Sequence, residues 1–297
     1  MKNAQIWRLA TLFTLAVLVN VIVAEEKIIH QKTFNTEFGK DLKLNTSSGD
    51  VYVSTWDKPE VYVKISGNRK AKDKVNFKFQ NNDNGVEITA KRDSWMNFFS
   101  WSGIYLKYEI KVPKNYNAYI STAGGDIKLY DLKGELKLET SGGDVFIKGT
   151  DGKNHISTSG GDIVAENNEG TLDVSTSGGD IRVKSFNGDV SASTSGGDIV
   201  LMGKNGKISA STSGGDVSLD LNDTMNEGIE LSTTGGDIQV RVPANFAANV
   251  DLSTTGGDVE CDIPLTSKGK ISASRIRGEI NGGGKILDCS TTGGDIH

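Results

Sequence analysis

A column of aspartates is the feature of this sequence that comes closest to a chemical site. The triplet Gly-Gly-Asp starts at Gly124 and recurs at five intervals of 18 residues and two of 21, with a last copy at Gly293. If successive copies stack as strands, their carboxylates lie about 4.8 Å apart and repel one another. Eight aspartates share this register: Asp126, Asp144, Asp162, Asp180, Asp198, Asp216, Asp237 and Asp258.

Two interpretations account for the aspartates. In the first, each carboxylate accepts hydrogen bonds from backbone N–H groups of its own turn, which requires no ion. In the second, the column binds Ca²⁺ through carboxylates and carbonyls. The known calcium-binding nonapeptide repeat reads G-G-x-G-x-D, whereas here Asp follows the glycine pair directly and the second half of the period has no matching acid in most copies. This mismatch favours the first interpretation, so we expect no cofactor and keep the calcium column as the alternative.

Enzyme chemistry has little support in the remaining polar residues. The three histidines, His30, His155 and His297, are widely separated, and no nucleophile elbow, metal-ligand cluster or phosphate loop accompanies them. The serines recur as repeat elements rather than as one activated nucleophile. Some parallel β-helices cleave polysaccharides with clustered acids, so the aspartates leave that activity as a less favoured alternative. We expect a protein that is not an enzyme.

The elements that position the aspartates are short strands. Apolar residues alternate with polar ones on both sides of each triplet, as at Leu172 and Val174 before it and Ile181 and Val183 after it. This period of two predicts half-buried strands, and a second turn near Asn187-Gly188 closes each circuit. The sequence therefore predicts an all-β fold, a single-stranded-type β-solenoid (β-helix) with coils of about 18 residues, regular over residues 121–297.

The stack predicts further details of the coils. Thr176, Thr194 and Thr212 share one position and should form a ladder of hydroxyls, beside a column of glycines at which positive φ is tolerated. The segment 271–280, which contains Arg277-Gly278-Glu279, aligns with 208–217 and is interpreted as a degenerate copy. With this copy the array holds ten units.

The two cysteines fall at inward positions of the repeat. Cys261 belongs to the eighth unit and Cys289 to the tenth, with the degenerate unit between them. Two coil spacings exceed the Cα separation of about 7 Å that a disulfide tolerates. We therefore expect two free, buried thiols.

Residues 25–120 are β-rich but less regular than the array. Ser48-Gly49-Asp50-Val51 resembles an early copy of the repeat, so this part is predicted to continue the solenoid with wider coils and to cap its end. The segment 95–101 holds Trp95, Phe98, Phe99 and Trp101 in one apparent loop. It is interpreted as a lid over the first coil, with a surface patch for a partner or a membrane as the alternative.

Residues 1–24 have the pattern of a secretory signal peptide. Lys2 and Arg8 precede an uncharged run of 16 residues, 9–24, which is shorter than the ~20 that a membrane-spanning helix needs. We expect cleavage before Glu25, an exported protein and no transmembrane segment after cleavage. The net charge of −5 becomes −7 once Lys2 and Arg8 are removed, and no basic run follows, which argues against nucleic acid as a partner.

Several motifs resemble one known family. Gly49-Asp50-Val51, Val61-Tyr-Val63, the strand ending Ile110-Lys-Val-Pro113 and the serial Ser-Gly-Gly-Asp-Ile units are similar to the bacterial "putative adhesin" family, a domain of unknown function found in envelope proteins. The resemblance covers nearly all of the chain after the leader. It implies a solenoid in the periplasm, outer envelope or extracellular space, and it supplies no catalytic residues.

Two functions from different classes follow. The first is a non-catalytic scaffold or adhesin-like protein that presents a repetitive polar surface to an envelope protein or a glycan. The second is a structural protein that polymerises, because residues 290–297 stop within a coil and suggest self-association through that coil.

Overall fold

The computed structural model describes residues 27–92, 103–267 and 272–297, which form 25 strands and one short helix, α1 (Arg69–Lys74). The strands lie in two rows of hydrogen-bonded neighbours, which we call the first and the second sheet. Their inward residues share one apolar core.

The first sheet comprises β2 (Asp41–Thr46), β5 (Val75–Asn82), β6 (Gly85–Arg92), β8 (Asn117–Ser121), β10 (Leu136–Glu139), β12 (Asp151–Ser157), β14 (Glu169–Ser175), β16 (Val190–Ser193), β18 (Ile208–Ser211), β20 (Ile229–Ser232), β22 (Ala248–Ser253), β23 (Leu265–Ser267), β24 (Arg275–Ile280) and β25 (Lys285–Ser290). The second comprises β1 (Lys27–Asn35), β3 (Asp50–Trp56), β4 (Glu60–Gly67), β7 (Leu106–Pro113), β9 (Ile127–Tyr130), β11 (Val145–Lys148), β13 (Ile163–Glu166), β15 (Ile181–Asn187), β17 (Ile199–Lys204), β19 (Val217–Leu221) and β21 (Ile238–Arg241).

From β8 to β21 the chain alternates between the sheets, and each Gly-Gly-Asp turn carries it from the first sheet to the second. Strands one period apart pair in parallel and in register, so Val145 lies opposite Ile163, and Leu138 opposite Ile156. Each period is thus one circuit of the chain that hydrogen-bonds to the circuits before and after it. The predicted all-β solenoid with coils of about 18 residues is confirmed.

The period of two in the sequence sets which residues enter the core. In β13, Ile163 and Ala165 are fully buried between the sheets, while Val164 lies on the outer face and is half-exposed. Burial of each Val, Leu or Ile side chain contributes roughly 1.5–3 kcal/mol. Stacking makes that core continuous, which a single two-strand coil cannot achieve.

The coils near the carboxyl end do not follow chain order. β25 lies between β20 and β22 and pairs in parallel with both, and Ile296 bridges Ile238 and Val259 in the second sheet. β24 runs antiparallel to β22 and has β23 on its other edge. The predicted series of ten parallel units in chain order is therefore wrong. The degenerate copy has Arg275 where the repeat has threonine and Glu279 where it has aspartate, so it lacks the groups that join a coil to its neighbour.

The last coil has both of its edges occupied. Its backbone bonds β20 on one side and β22 on the other, and the His297 N–H donates to the carbonyl of Ile238. Residues 290–297 were expected to offer an open edge, and that part of the expectation is wrong, because both edges are paired within the molecule. Self-association itself stays a prediction.

The cysteines follow from this arrangement. Cys289 is buried at a position opposite Leu252, whereas Cys261 lies beyond β22 and is half-exposed, with both thiols free. Burial raises the pKa of the Cys289 thiol. The expected burial is right for Cys289 and wrong for Cys261, and the coils that carry the two residues are neighbours rather than two spacings apart.

The amino end of the solenoid is also built out of chain order. The coil of β2 and β3 lies between a wide coil of β6 and β7 and the coil of β8 and β9. The interpretation of Ser48–Val51 as an early copy of the repeat is confirmed. Antiparallel strands β4 and β1 extend the second sheet beyond β7, and β5 extends the first beyond β6.

The outermost strands of the two sheets meet at this end. The ring of His30 in β1 packs against Phe77 and Phe79 of β5 at centroid distances of 5.0 and 5.3 Å, and Phe34 stacks on Phe79 at 6.1 Å. These contacts join the sheets across the end of the core. The predicted lid with Trp95, Phe98, Phe99 and Trp101 and the predicted signal peptide lie outside the described residues. Within the described ranges, no helix has the length and hydropathy needed to cross a membrane.

Candidate functional site

The aspartates of the Gly-Gly-Asp turns form one continuous ladder. The ladder begins at Asp50 in the Ser48-Gly49-Asp50 turn, and the backbone N–H of each of the nine following aspartates donates to Oδ1 of the aspartate before it at 2.8–3.1 Å. In spatial order the ladder runs through Asp50, Asp126, Asp144, Asp162, Asp180, Asp198, Asp216, Asp237, Asp295 and Asp258. The sequence predicted backbone hydrogen bonds to these carboxylates but placed them within one turn, whereas they join neighbouring coils.

The threonines stack as expected but do not bond one another. The Thr176 hydroxyl donates to the carbonyl of Gly161 in the preceding coil at 3.0 Å and accepts the N–H of Gly179 in its own turn at 3.4 Å. The same pair of bonds recurs in each coil from Thr140 to Thr291. The predicted hydroxyl ladder is therefore a ladder of threonine–glycine bonds.

The two glycines of each turn have different roles. A Cβ on the second glycine, such as Gly161, would lie 2.5 Å from the carbonyl carbon of Gly143 and 2.8 Å from Oδ1 of Asp144. A Cβ on the first, Gly160, would meet nothing closer than 3.7 Å. Positive φ is found at Gly125 but not at the second glycines from Gly143 onward, so close approach of the coils, rather than positive φ, requires glycine there.

The ladder explains aspartate at this position without an ion. Its Oδ1 atoms accept backbone N–H groups of the neighbouring coils, so these oxygens are already hydrogen-bonded within the protein. Among the described residues no group of three or more His, Cys, Asp or Glu side chains is arranged to hold a metal ion. The function of the ladder that the geometry supports is to join the coils.

The histidines lie in three separate environments. His30 is packed against phenylalanine rings, and its pKa is lowered by burial and then by the nearby Lys32. His155 Nδ1 lies 2.9 Å from Asp173, and Ser191 follows Asp173 on the next strand. In a nucleophilic serine triad the imidazole lies between the serine and the carboxylate, whereas here the carboxylate lies between the other two. His297 Nε2 is 3.5 Å from Asp262.

A second candidate site lies on the outer face of the second sheet, towards its amino end. Strands β4, β7, β3, β9 and β11 present a set of half-exposed rings and exposed or half-exposed amines there. We call this set the aromatic–lysine face: Tyr52, Trp56, Tyr62, Lys111, Lys128, Tyr130 and Phe146.

Strand register assembles the face. Tyr52 lies opposite Lys128, and Lys128 opposite Phe146, so one outward position of β3, β9 and β11 forms a row. The rings of Tyr130 and Phe146 are 5.6 Å apart, and those of Trp56 and Tyr62 are 6.3 Å apart. A shallow depression of about 360 Å³ lies among Tyr52, Tyr62, Lys111 and Tyr130. The face thus combines flat rings with a groove.

Charges on the face are unevenly balanced. Glu109 lies 2.6 Å from Lys64 and 3.3 Å from Lys107, and the hydrogen bond from Lys64 holds the pKa of this carboxyl below its usual range. Within the described part of the chain, Lys111 and Lys128 have no carboxylate within 4.0 Å. Their amines lie over Trp56 at 5.8 Å and Tyr52 at 5.7 Å, respectively. Two cations on this face are therefore available to an anion.

Sequence reasoning did not identify this face. The signal was present as outward positions of consecutive coils occupied by Tyr52, Lys128 and Phe146. The same row continues on later strands without further rings, through Val164, Arg182, Val200, Ser218 and Gln239. Tyr52 belongs to β3, which lies outside the regular array. The pairing of β3 with β9 was therefore needed to place Tyr52 beside Lys128.

An apolar depression of about 440 Å³ opens at the carboxyl end of the core. Val240, Leu252, Ile263 and Leu287 contribute to its walls, and Arg241, Glu260, Asp262 and His297 lie among its lining residues. Charges of both signs surround it.

Comparison with known proteins places the fold in a family. The family model described as Toastrack DUF4097 matches residues 39–297. A comparison with curated proteins gives no match.

The solved structures to which this chain is similar are distant from it in sequence. A putative adhesin from Bacteroides fragilis is 17% identical, with 74% of this chain and 99% of that chain covered and a TM-score of 0.49. A putative adhesin from Parabacteroides distasonis is 14% identical, with 92% and 97% covered and a TM-score of 0.48. A putative lipid binding protein from the same species is 13% identical, with 90% and 95% covered and a TM-score of 0.43.

The resemblance to a domain family of unknown function is confirmed by the family model. Since the family model covers residues 39–297, most of the chain, this protein belongs to the Toastrack DUF4097 family.

Proposed function

We propose that this protein is an exported, non-catalytic β-solenoid scaffold of the cell envelope, whose repetitive outer surface binds a protein or glycan partner. The observation that carries the proposal is the continuous stack of coils, each hydrogen-bonded to its neighbours through both sheets and through the aspartate and threonine ladders. Such a stack holds outward side chains at a fixed spacing of about 4.8 Å along its length.

The rigidity of the array suits presentation of a surface better than closure around a substrate. In each regular coil the Thr hydroxyl donates to the backbone of the preceding coil and the Asp side chain accepts from the backbone of the next, in addition to the strand ladders. An enzyme of this fold would need acids or nucleophiles that converge beside a substrate. The ladder aspartates instead accept backbone N–H groups, and the row His155, Asp173, Ser191 has the wrong order for a nucleophilic serine.

Export and an adhesin-like role are part of the proposal. Residues 1–24 have the charge and hydropathy pattern of a secretory signal peptide. Solved relatives bear the printed name "putative adhesin", and we carry that role to this chain as a hypothesis.

Cell fractionation combined with envelope binding tests the proposal. Antibody detection in the producing organism should place the protein in the envelope or the medium. The purified, labelled protein should bind isolated envelopes saturably, with unlabelled protein as competitor. A heat-denatured sample is the matched control and should not compete. A purely cytoplasmic location, or envelope binding that unlabelled protein does not compete, would refute the proposal.

A further inference from the structure

We propose that the aromatic–lysine face binds an acidic polysaccharide of the uronic-acid type, in an extended conformation across strands β7, β3, β9 and β11. This inference rests on the proposed function, because it names the partner class of the scaffold. It uses a site distinct from the aspartate ladder.

The rings supply surfaces on which sugar rings stack. Tyr52, Tyr130 and Phe146 are half-exposed on the outer face of a sheet whose inward residues, such as Val53 and Leu129, are fully buried. The buried residues hold the strands in place, so the rings are positioned before a ligand binds. The C–H face of a pyranose packs on the negative face of an aromatic ring, while its hydroxyls remain in water.

The spacing of the rows fits an extended chain. Neighbouring strands lie about 4.8 Å apart, which is comparable to the length of one sugar residue in an extended polysaccharide. The row Tyr52, Lys128, Phe146 therefore offers ring, cation and ring to successive sugars.

Charge selects an acidic chain over a neutral one. Lys64 and Lys107 share the single carboxylate of Glu109, and Lys148 pairs with Glu166 at 3.1 Å. Lys111 and Lys128 have no carboxylate within 4.0 Å among the described residues and carry the local excess of positive charge on a chain of net charge −5. Lys128 lies in the row of Tyr52 and Phe146, whose member on β7 is Glu109, and Lys111 lies one outward position further along β7. Two cations on neighbouring rows of this face match carboxylates that recur along a uronic-acid chain. Nucleic acid is disfavoured, because binding to its dense phosphates requires many more cations.

Binding is measured by calorimetry with the purified protein and a galacturonic acid oligomer at two salt concentrations. Dextran serves as the neutral polymer and polyglutamate as an acidic polymer without sugar rings. We expect the galacturonate oligomer to bind more tightly than either, and its affinity to fall as salt rises.

Two double variants separate charge from stacking. Lys111→Gln with Lys128→Gln should weaken galacturonate binding roughly fivefold or more. Tyr130→Ala with Phe146→Ala should weaken it by a similar factor, with an unchanged circular dichroism spectrum. The matched control is Lys184→Gln with Lys204→Gln, exposed positions in β15 and β17 of the same sheet, which should bind within twofold of wild type.

Three results would overturn the inference: equal binding of polyglutamate and galacturonate, lysine variants that bind as wild type, or equal losses in the control variant. Failure of this inference can be told apart from failure of the proposed scaffold function. If envelopes bind the protein while galacturonate does not, the scaffold role stands and the polysaccharide class is wrong. If protease treatment of envelopes removes the binding sites, the partner is a protein and the inference is likewise wrong.

Discussion

Substitution of the second glycine of a turn should open the stack, while substitution of the first should not. Gly160 and Gly161 lie side by side in the middle of the regular array. In Gly161→Ala the new Cβ would lie 2.5 Å from the carbonyl carbon of Gly143, and closer still to its oxygen. Carbon contacts are favourable at about 3.5–4.0 Å, so the coils must separate by about 1 Å at this point.

The cost follows from the bonds that this separation breaks. Asp162 N–H donates to Oδ1 of Asp144 at 2.9 Å, and the Thr158 hydroxyl donates to the carbonyl of Gly143 at 2.9 Å. A bond to a charged group contributes about 1.5–3 kcal/mol and a neutral one about 0.5–1.5 kcal/mol. With strain from the added methyl group, we expect Gly161→Ala to lower the free energy of unfolding by about 3–5 kcal/mol.

The control is the adjacent residue. In Gly160→Ala the Cβ meets nothing within 3.7 Å, so we expect a change of less than about 1 kcal/mol. The assay is urea unfolding followed by circular dichroism, with both variants and wild type compared at equal concentration. Equal midpoints for Gly160→Ala and Gly161→Ala, or an unchanged midpoint for Gly161→Ala, would refute the argument that close approach of the coils requires glycine here.

Three further predictions concern the ladders and the thiols. Thr176→Val leaves the Gly161 carbonyl without its hydroxyl donor and should lower the free energy of unfolding in urea by about 1–3 kcal/mol. The control Thr171→Val, at an exposed position, should lower it by less than about 0.5 kcal/mol. Equal losses in the two variants would contradict the threonine–glycine ladder. Millimolar CaCl₂ should shift the melting temperature by less than about 1 °C, because backbone N–H groups already bond the ladder aspartates. A rise of several degrees would support a calcium column instead. Ellman's reagent should modify Cys261 in the native protein and leave Cys289 unmodified until denaturant is added, because Cys289 is buried and its thiol pKa is raised. In a Cys261→Ser variant only Cys289 remains, and rapid labelling of that native variant would show that the last coil is not packed as described.

The repeat in the sequence was sufficient to predict the coils, but not the order in which coils stack at the two ends of the solenoid. Period-two alternation around residues such as Ile181 and Val183 identified the inward positions, because strand geometry allows only one assignment. Coil order depends on which backbone edges meet, and every Gly-Gly-Asp coil offers an equivalent edge. The insertion of β25 between β20 and β22 therefore left no local signal.

The candidate site was predictable to the same extent. The aspartates were identified from their spacing, but the direction of their bonds depends on the stagger of adjacent turns, as for Asp162 and Asp144. The aromatic–lysine face brings Tyr52 beside Lys128, 76 residues away, through a strand pairing outside the regular repeat. Long-range register of this kind is set by packing of the whole array and not by local sequence.

A crystal structure of the protein with a galacturonic acid oligomer tests the central functional claim most directly. The account predicts sugar rings over Tyr52, Tyr130 and Phe146, with carboxylates within hydrogen-bond distance of the Lys111 and Lys128 amines. An oligomer bound instead along the aspartate ladder or in the apolar depression at the carboxyl end would contradict it.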